Sequence, residues 1–345
     1  MASKDSDAEG RKMRDKCLAL YADDKLLEGA RLEKELEKKF PAVHAESAEI
    51  LKPLKIAGEE AQRFHKEFES TDGWTCVRQA ANPADVQVWI RHEPGNALHT
   101  FRVEGEVDAP AEFLLVLMNE ITLFDVWLPF IGGSRELAIP SRCERYAWVK
   151  FWSPAPAVVH HRDFCMYARA IDGLDEDGCV LVLMKSFEDG DGGVVQPPTE
   201  AHTTRISMKF GAIELFPTAQ GRTRVRAIAL LDPKIRVLPA WLINWVSTKV
   251  CYMGIRRWEH RAQKLRDGTD DGPHKTRMRE NATYYSWVIA RVRSRTNALP
   301  SLPSAGRAAD PIDDDATVAV PAGEAIEEDE APKPTKSASS SIFKL

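Results

Sequence analysis

The chain has 345 residues, of which 43% are hydrophobic and 29% charged. That is enough for one main core with extensions and too ordinary for a fibrous or wholly disordered protein. The net charge of -5 is local: residues 296 to 345 hold nine acidic and four basic side chains, so acids and bases balance over the rest of the chain and no nucleic-acid partner is expected.

Residues 11 to 39 carry Leu18, Tyr21, Leu26, Leu27, Leu32 and Leu36 among dense Lys and Glu, a helical period that Pro41 breaks. Its apolar seam is not a sustained heptad, so a coiled coil is not predicted. A second helix is predicted from Ala45 to Phe68 and ends at Ser70-Thr71-Asp72-Gly73. From Trp74 the period becomes two. Val86, Val88 and Ile90 alternate over Asp85 to Arg91, and Leu98 to Val107 follows after the turn residues Glu93-Pro94-Gly95-Asn96, which predicts an antiparallel hairpin.

Asp108 as N-cap and Pro110 in the first turn predict a short helix over Glu112 to Met118. Strands are predicted at Arg135 to Ile139, Cys143 to Trp152, Arg162 to Ile171, Gly178 to Phe187, Thr203 to Leu215 and Arg222 to Leu231. A long helix over Pro239 to Leu265 places Leu242, Trp245, Val246, Val250 and Met253 on one stripe, with cations toward its C-terminal end. Ala282 to Arg295 is an amphipathic basic helix, read as docked on the sheet because Tyr284, Trp287 and Ile289 would otherwise stay exposed. Beyond Asn297 the chain is Pro, Ala, Ser and acid, with too little apolar surface to order.

The six cysteines show no C-x-x-C spacing and sit mostly in apolar runs, which suits a reducing compartment. The first ten residues have no apolar core, and no window approaches the roughly 18 apolar residues of a membrane span. A soluble, cytoplasmic protein with peripheral membrane contact is the expectation.

Several local motifs fall in a telling order. They are Val103-Glu104-Gly105-Glu106-Val107-Asp108-Ala109-Pro110, Asp125-Val126-Trp127, His161-Arg162-Asp163-Phe164, Lys185-Ser186-Phe187, and Asp232-Pro233-Lys234 followed by Leu238-Pro239-Ala240-Trp241-Leu242-Ile243-Asn244. Together they resemble the START (StAR-related lipid transfer) domain over about 200 residues, Gly73 to Leu265. The resemblance implies an α+β helix-grip fold: a curved antiparallel sheet around an apolar tunnel, closed by the long C-terminal helix, with one lipid inside. It implies residues 1 to 70 as a helical extension, 71 to 268 as the lipid-binding domain, 269 to 296 as a linker and basic helix, and 297 to 345 as a disordered acidic tail. The carboxylate and arginine that sterol-binding relatives keep in the tunnel fall on Val149 and Ala168, beside Lys150 and Arg169, so no anchor of that type is implied.

An apolar ligand gains about 0.8 kcal/mol per CH₂ removed from water, so walls matter more than polar groups. Candidate lipid-binding walls from the strands are Phe151, Phe164, Met166, Met184, Met208, Phe210, Ile228 and Leu230. The helix adds Trp241, Leu242, Trp245 and Met253. Candidate headgroup contacts are Tyr146, His160, His161, Arg162 and Arg169, with a structural ion pair the competing role for Arg162. Neighbouring strand residues point to opposite faces, so His160 and His161 do not suggest a metal site. No cofactor and no catalytic set are expected.

Entry needs a moving part. The Pro-rich segment Ser153 to Val159 is that candidate, with Trp152, Val158 and Val159 able to reach a membrane interface. Eleven basic against five acidic residues between Gly254 and Thr296 favour an anionic surface. The expected activity is non-enzymatic binding and transfer, or sensing, of one phospholipid, ceramide or sterol. Two alternatives are a helix-grip cyclase or dehydratase using His160, His161 or Asp163 as acid or base, and a lipid-sensing interaction module whose extensions recruit partners.

Overall fold

The computed structural model describes residues 2–79, 85–93, 98–153, 159–235, 246–269 and 272–299. Three helices come first: α1 (Ala2–Ala22), α2 (Leu26–Lys39) and α3 (Pro41–Glu69). The single helix predicted over 11 to 39 is therefore two. The break falls at Asp23-Asp24, where Asp24 takes a left-handed backbone with φ of 58°, a conformation that Asp reaches more readily than most residues. Helix α3 starts on Pro41, whose missing N–H costs nothing in the first turn. It buries Ser47, Leu51, Leu54, Ala57, Ala61, Phe64 and Phe68, three or four residues apart.

Ten strands follow: β1 (Thr75–Arg78), β2 (Gln87–His92), β3 (His99–Val107), β4 (Ile131–Ser141), β5 (Glu144–Phe151), β6 (His161–Gly173), β7 (Cys179–Ser186), β8 (Thr203–Arg205), β9 (Ser207–Pro217) and β10 (Thr223–Asp232). The sheet order is β1-β2-β3-β10-β9-β7-β6-β5-β4, antiparallel throughout, and the short β8 pairs with β6 in parallel. The predicted strand from Thr203 to Leu215 is thus split. Ile206 leaves the β8 ladder by donating its N–H to the Asp163 carbonyl, 2.8 Å away.

The helices on the inner face are α4 (Ala111–Asn119), then a 3₁₀ turn over Ile121–Val126, and later α5 (Cys251–Arg266), α6 (Pro273–Glu280) and α7 (Ala282–Asn297). Asp108 does not cap α4, which begins without a side-chain cap. Its backbone and carboxylate instead meet α5: the Asp108 N–H donates to Glu259 at 2.7 Å and its carbonyl accepts from Gln263 at 3.1 Å. A π-helical turn, Val246–Val250, leads into α5. The expected helix start at Pro239 lies outside the described residues, as does the acidic tail from residue 300 onward. The face that α5 buries is Arg256, Trp258, Glu259, Ala262 and Leu265. Met253 is only half-buried, and Arg256 is buried in an ion pair with Glu259.

The two largest cores lie one on each side of the sheet. The outer face, through Ile171, Leu181, Leu183, Ala212 and Ile228, packs on α1 to α3. The inner face packs on α4, α5 and α7. The N-terminal helices are therefore a layer of the same body, covering sheet surface that would otherwise be exposed.

Candidate functional site

Between the inner face and its helices lies a cavity of about 510 Å³, within the range of sites that enclose a small molecule. Period two decides what faces it. In β6, Phe164, Met166, Ala168 and Ala170 line the cavity, while Cys165 and Ile171 pack on the outer side. In β5 the inward set is Arg145, Val149 and Phe151, and β7 supplies Val180, Val182 and Met184. Helix α4 and the turn after it add Leu115, Met118, Ile121, Phe124 and Trp127; α5 adds Ile255 and Trp258; α7 adds Tyr284, Tyr285, Val288 and Val292. The rings are ordered: Trp127 stacks on Trp258 at 5.9 Å, and Phe151 on Phe164 at 5.8 Å.

Four predicted wall residues meet at this cavity: Phe151, Phe164, Met166 and Met184. Met208 is buried in the inner core without lining it. Phe210, two residues on, points the opposite way. The ladder shifts between Leu230 and Leu231, which pair with Phe210 and Met208, so Lys209 is an extra residue that inverts the alternation. Phe210 packs at a tilt on Phe64 of α3, with ring centroids 5.7 Å apart, and Ile228 and its strand neighbour Leu230 share that outer side. Met253 is not on the wall; Trp241, Leu242 and Trp245 lie outside the described residues. Val149 and Ala168 both line the cavity, so the positions of the sterol-type ion pair are filled by apolar side chains.

Among the predicted polar contacts, only Arg169 borders the cavity, beside Glu144 at 3.8 Å. Tyr146 packs on Phe187 and Tyr167, on the outer side of β5. His161 lies edge-on to Trp152 at 4.6 Å and accepts a hydrogen bond from the Ser153 N–H; burial lowers its pKa. His160 faces His202. Arg162 donates to the carbonyls of His160 and Pro233 at 2.7 and 3.0 Å. Asp163 is fully buried, accepting two bonds from Arg205 at 2.6 and 3.1 Å and one from the Trp148 indole at 2.7 Å. It is committed to these partners and does not line the cavity.

The other polar groups that border the cavity were not among the predicted headgroup contacts. Asn119, at the end of α4, receives Arg145 Nη2 on its Oδ1 at 2.9 Å and donates Nδ2 to the Tyr285 hydroxyl at 2.8 Å. Tyr285 in turn donates to Glu120. Tyr284 reaches the same Asn119 oxygen at 3.4 Å, a long bond, and burial pushes its phenol pKa up to about 12. Beside them, Arg142 spans Asp24 and the ring of Trp287, and Arg291 grips Asp172 at 2.6 Å and Asp175 at 2.7 Å. The α1–α2 turn and α7 therefore meet at this end. Three distant segments build it, and no local spacing announces them.

No family model matches the sequence, and no curated protein matches it either. Solved structures do. Human STARD10 is similar with a TM-score of 0.52 at 18% identity, over 70% of this chain and 89% of its own. Human StAR-related lipid transfer protein 5 is similar with a TM-score of 0.52 at 16% identity, over 61% of this chain and 97% of its own. At such identities the likeness is one of fold: this chain has the START helix-grip fold, an α+β body with a curved antiparallel sheet gripping a C-terminal helix.

Proposed function

We propose that the protein binds one lipid in the cavity, shields its apolar part from water, and delivers it to or senses it at a membrane. The observation that carries this reading is the mostly apolar space between the sheet and α4, α5 and α7. Each methylene moved into it from water contributes about 0.8 kcal/mol, so a chain of ten or so is held without any catalytic group. Lipid transfer, which human StAR-related lipid transfer protein 5 carries in its name, agrees with this use of the cavity.

The rival reading as a cyclase or dehydratase needs an acid or base against the ligand. His160, His161 and Asp163 are not on the cavity wall, which disfavours it. For membrane contact, Trp152 is 48% exposed with the Lys150 ammonium 5.0 Å from its ring, an arrangement suited to the headgroup level. Six unpaired cysteines suit a reducing cytoplasm, and no described helix is long and apolar enough to cross a membrane.

The test is extraction of labelled phospholipid, ceramide or sterol from vesicles. Saturation near one lipid per protein is expected, and failure to extract or exchange any of the three classes removes the proposal.

A further inference from the structure

Glu33 breaks the pattern of its helix. The buried stripe of α2 is Leu26, Leu27, Ala30 and Leu36, packed with residues of α1 and α3, and Glu33 lies on that stripe, 1% exposed. Buried carboxylates elsewhere are held by arginine, Asp163 by Arg205 and Glu214 by Arg226. Glu33 has no such partner among the described residues. Its Oε1 meets the imidazole of His44, with Nε2 2.6 Å away, and its Oε2 has no hydrogen-bond partner among the described residues. A buried carboxylate left half-satisfied is costly. Burial pushes the Cys17 thiol pKa up to about 11, and the nearby Glu33 charge adds to that rise.

A second carboxylate faces the same spot. Glu37 lies one turn further along α2, on the same side of the helix, and like charges at that spacing repel. Lys55 comes no nearer to it than 3.9 Å, both side chains being half-exposed. The chain passes from α2 to α3 over Phe40 alone, so His44 falls in the first turn of α3, its N–H donating to the Phe40 carbonyl at 3.0 Å. That tight turn brings a carboxylate oxygen of Glu33, one of Glu37 and a ring nitrogen of His44 within 4.8 Å of one another. Two ligand atoms each about 2.0–2.1 Å from a tetrahedral ion are themselves about 3.4 Å apart, so small side-chain movements close the trio on an ion.

We propose that Glu33, Glu37 and His44 bind one divalent transition-metal ion, zinc being the best match, with water completing the coordination beside the half-exposed Glu37. One imidazole nitrogen and two carboxylate oxygens suit zinc and are not the all-oxygen set of calcium or magnesium. The ion takes the place of the proton between His44 Nε2 and Glu33 Oε1, and that proton passes to Nδ1 or to solvent. Two carboxylates neutralise its two charges, and the repulsion between Glu33 and Glu37 turns into shared attraction. The result is a clip between α2 and α3, in the helical layer on the outer face and away from the lipid cavity. The other trio of this kind among the described residues, His65, Cys179 and Glu214, is a poorer host, because the Arg226 guanidinium 2.6 Å from Glu214 already supplies the positive charge there.

The test uses the untagged full chain, stripped with a chelator and titrated with Zn²⁺ alone by calorimetry. One equivalent per chain is expected, together with a rise in melting temperature. Glu33 and His44 also pack α2 on α3, so Glu37→Gln, at a half-exposed position, carries the test. It is expected to bind zinc at least about tenfold more weakly, since even the outer partners of a metal site are worth about 10- to 100-fold. Its metal-free melting temperature is expected to stay near the native value. Cys179→Ala is expected to keep the native affinity, and cobalt in place of zinc should absorb in the visible without a thiolate charge-transfer band. Absence of Zn²⁺ binding, or native affinity in Glu37→Gln, overturns the assignment. Binding lost in Cys179→Ala but kept in Glu37→Gln overturns it as well and moves the ion to the His65 trio.

Discussion

The two faces of the sheet use polar residues in opposite ways. On the outer face, under α3, Glu214 is fully buried between His65 at 2.5 Å and Arg226 at 2.6 Å, and Arg226 also reaches Glu69 at 2.6 Å. His65 completes the chain with Asp177 at 3.1 Å. Every member is saturated by another, and the network fixes α3 in register on the sheet. On the inner face charges are confined to one end, and the rest of the wall is apolar with an unpartnered indole. Paired charges mark the face that holds the protein together; unfilled volume marks the face with room for something else.

The largest way to break that comparison is to strip the outer layer. Deleting residues 2 to 70 uncovers Leu181, Leu183, Ala212 and Ile228, and the truncated chain is expected to aggregate or lose its cooperative thermal transition. A monodisperse fragment with a native-like transition would show that the layer is dispensable. Next is Asp163→Ala, which takes from the half-buried Arg205 its carboxylate partner and removes the acceptor of the Trp148 indole. A loss of about 3–5 kcal/mol in urea denaturation is expected.

Smaller in stability but decisive for function is Ala168→Trp, which fills the cavity from β6. It is expected to cost about 1–3 kcal/mol by overpacking and to reduce lipid uptake to near background. Uptake at the native level would place the ligand elsewhere. The smallest effect is a pH dependence. The Glu214 hydrogen bond, opposed by burial and supported by the charges of Glu214 and Asp177, raises the pKa of His65 above 6.5. The native state then binds the proton more tightly than the unfolded chain does. That stability is complete below about pH 6.5 and is lost as pH rises through the raised native value. The melting temperature of His65→Gln should therefore fall short of the native protein's by more at pH 6 than at pH 9, and a gap that widens with pH would contradict the assignment.

Much of the architecture is legible in the chain because its signals are local. The β2–β3 hairpin follows from alternation at Val86, Val88 and Ile90, and the β6 start from His161-Arg162-Asp163-Phe164. Alternation assigns residues to faces without saying which face is hollow, so Phe151, Phe164, Met166 and Met184 reach the cavity while Phe210 and Ile228 meet α3. The bulge at Lys209 and the left-handed Asp24 are single-residue events inside otherwise regular runs. The polar end was illegible for a different reason: Asn119, Arg145 and Tyr284 converge from a helix end, a strand and the last helix, α7, 26 to 165 positions apart. Only packing brings them together.

The central claim is that the space between the sheet and its inner helices holds one lipid. Native mass spectrometry of the full chain purified from a eukaryotic host, followed by denaturing lipid extraction, tests it most directly. The account predicts one co-purifying lipid class at close to one molecule per protein. A protein that is empty on purification, and still empty after incubation with mixed liposomes, would contradict it.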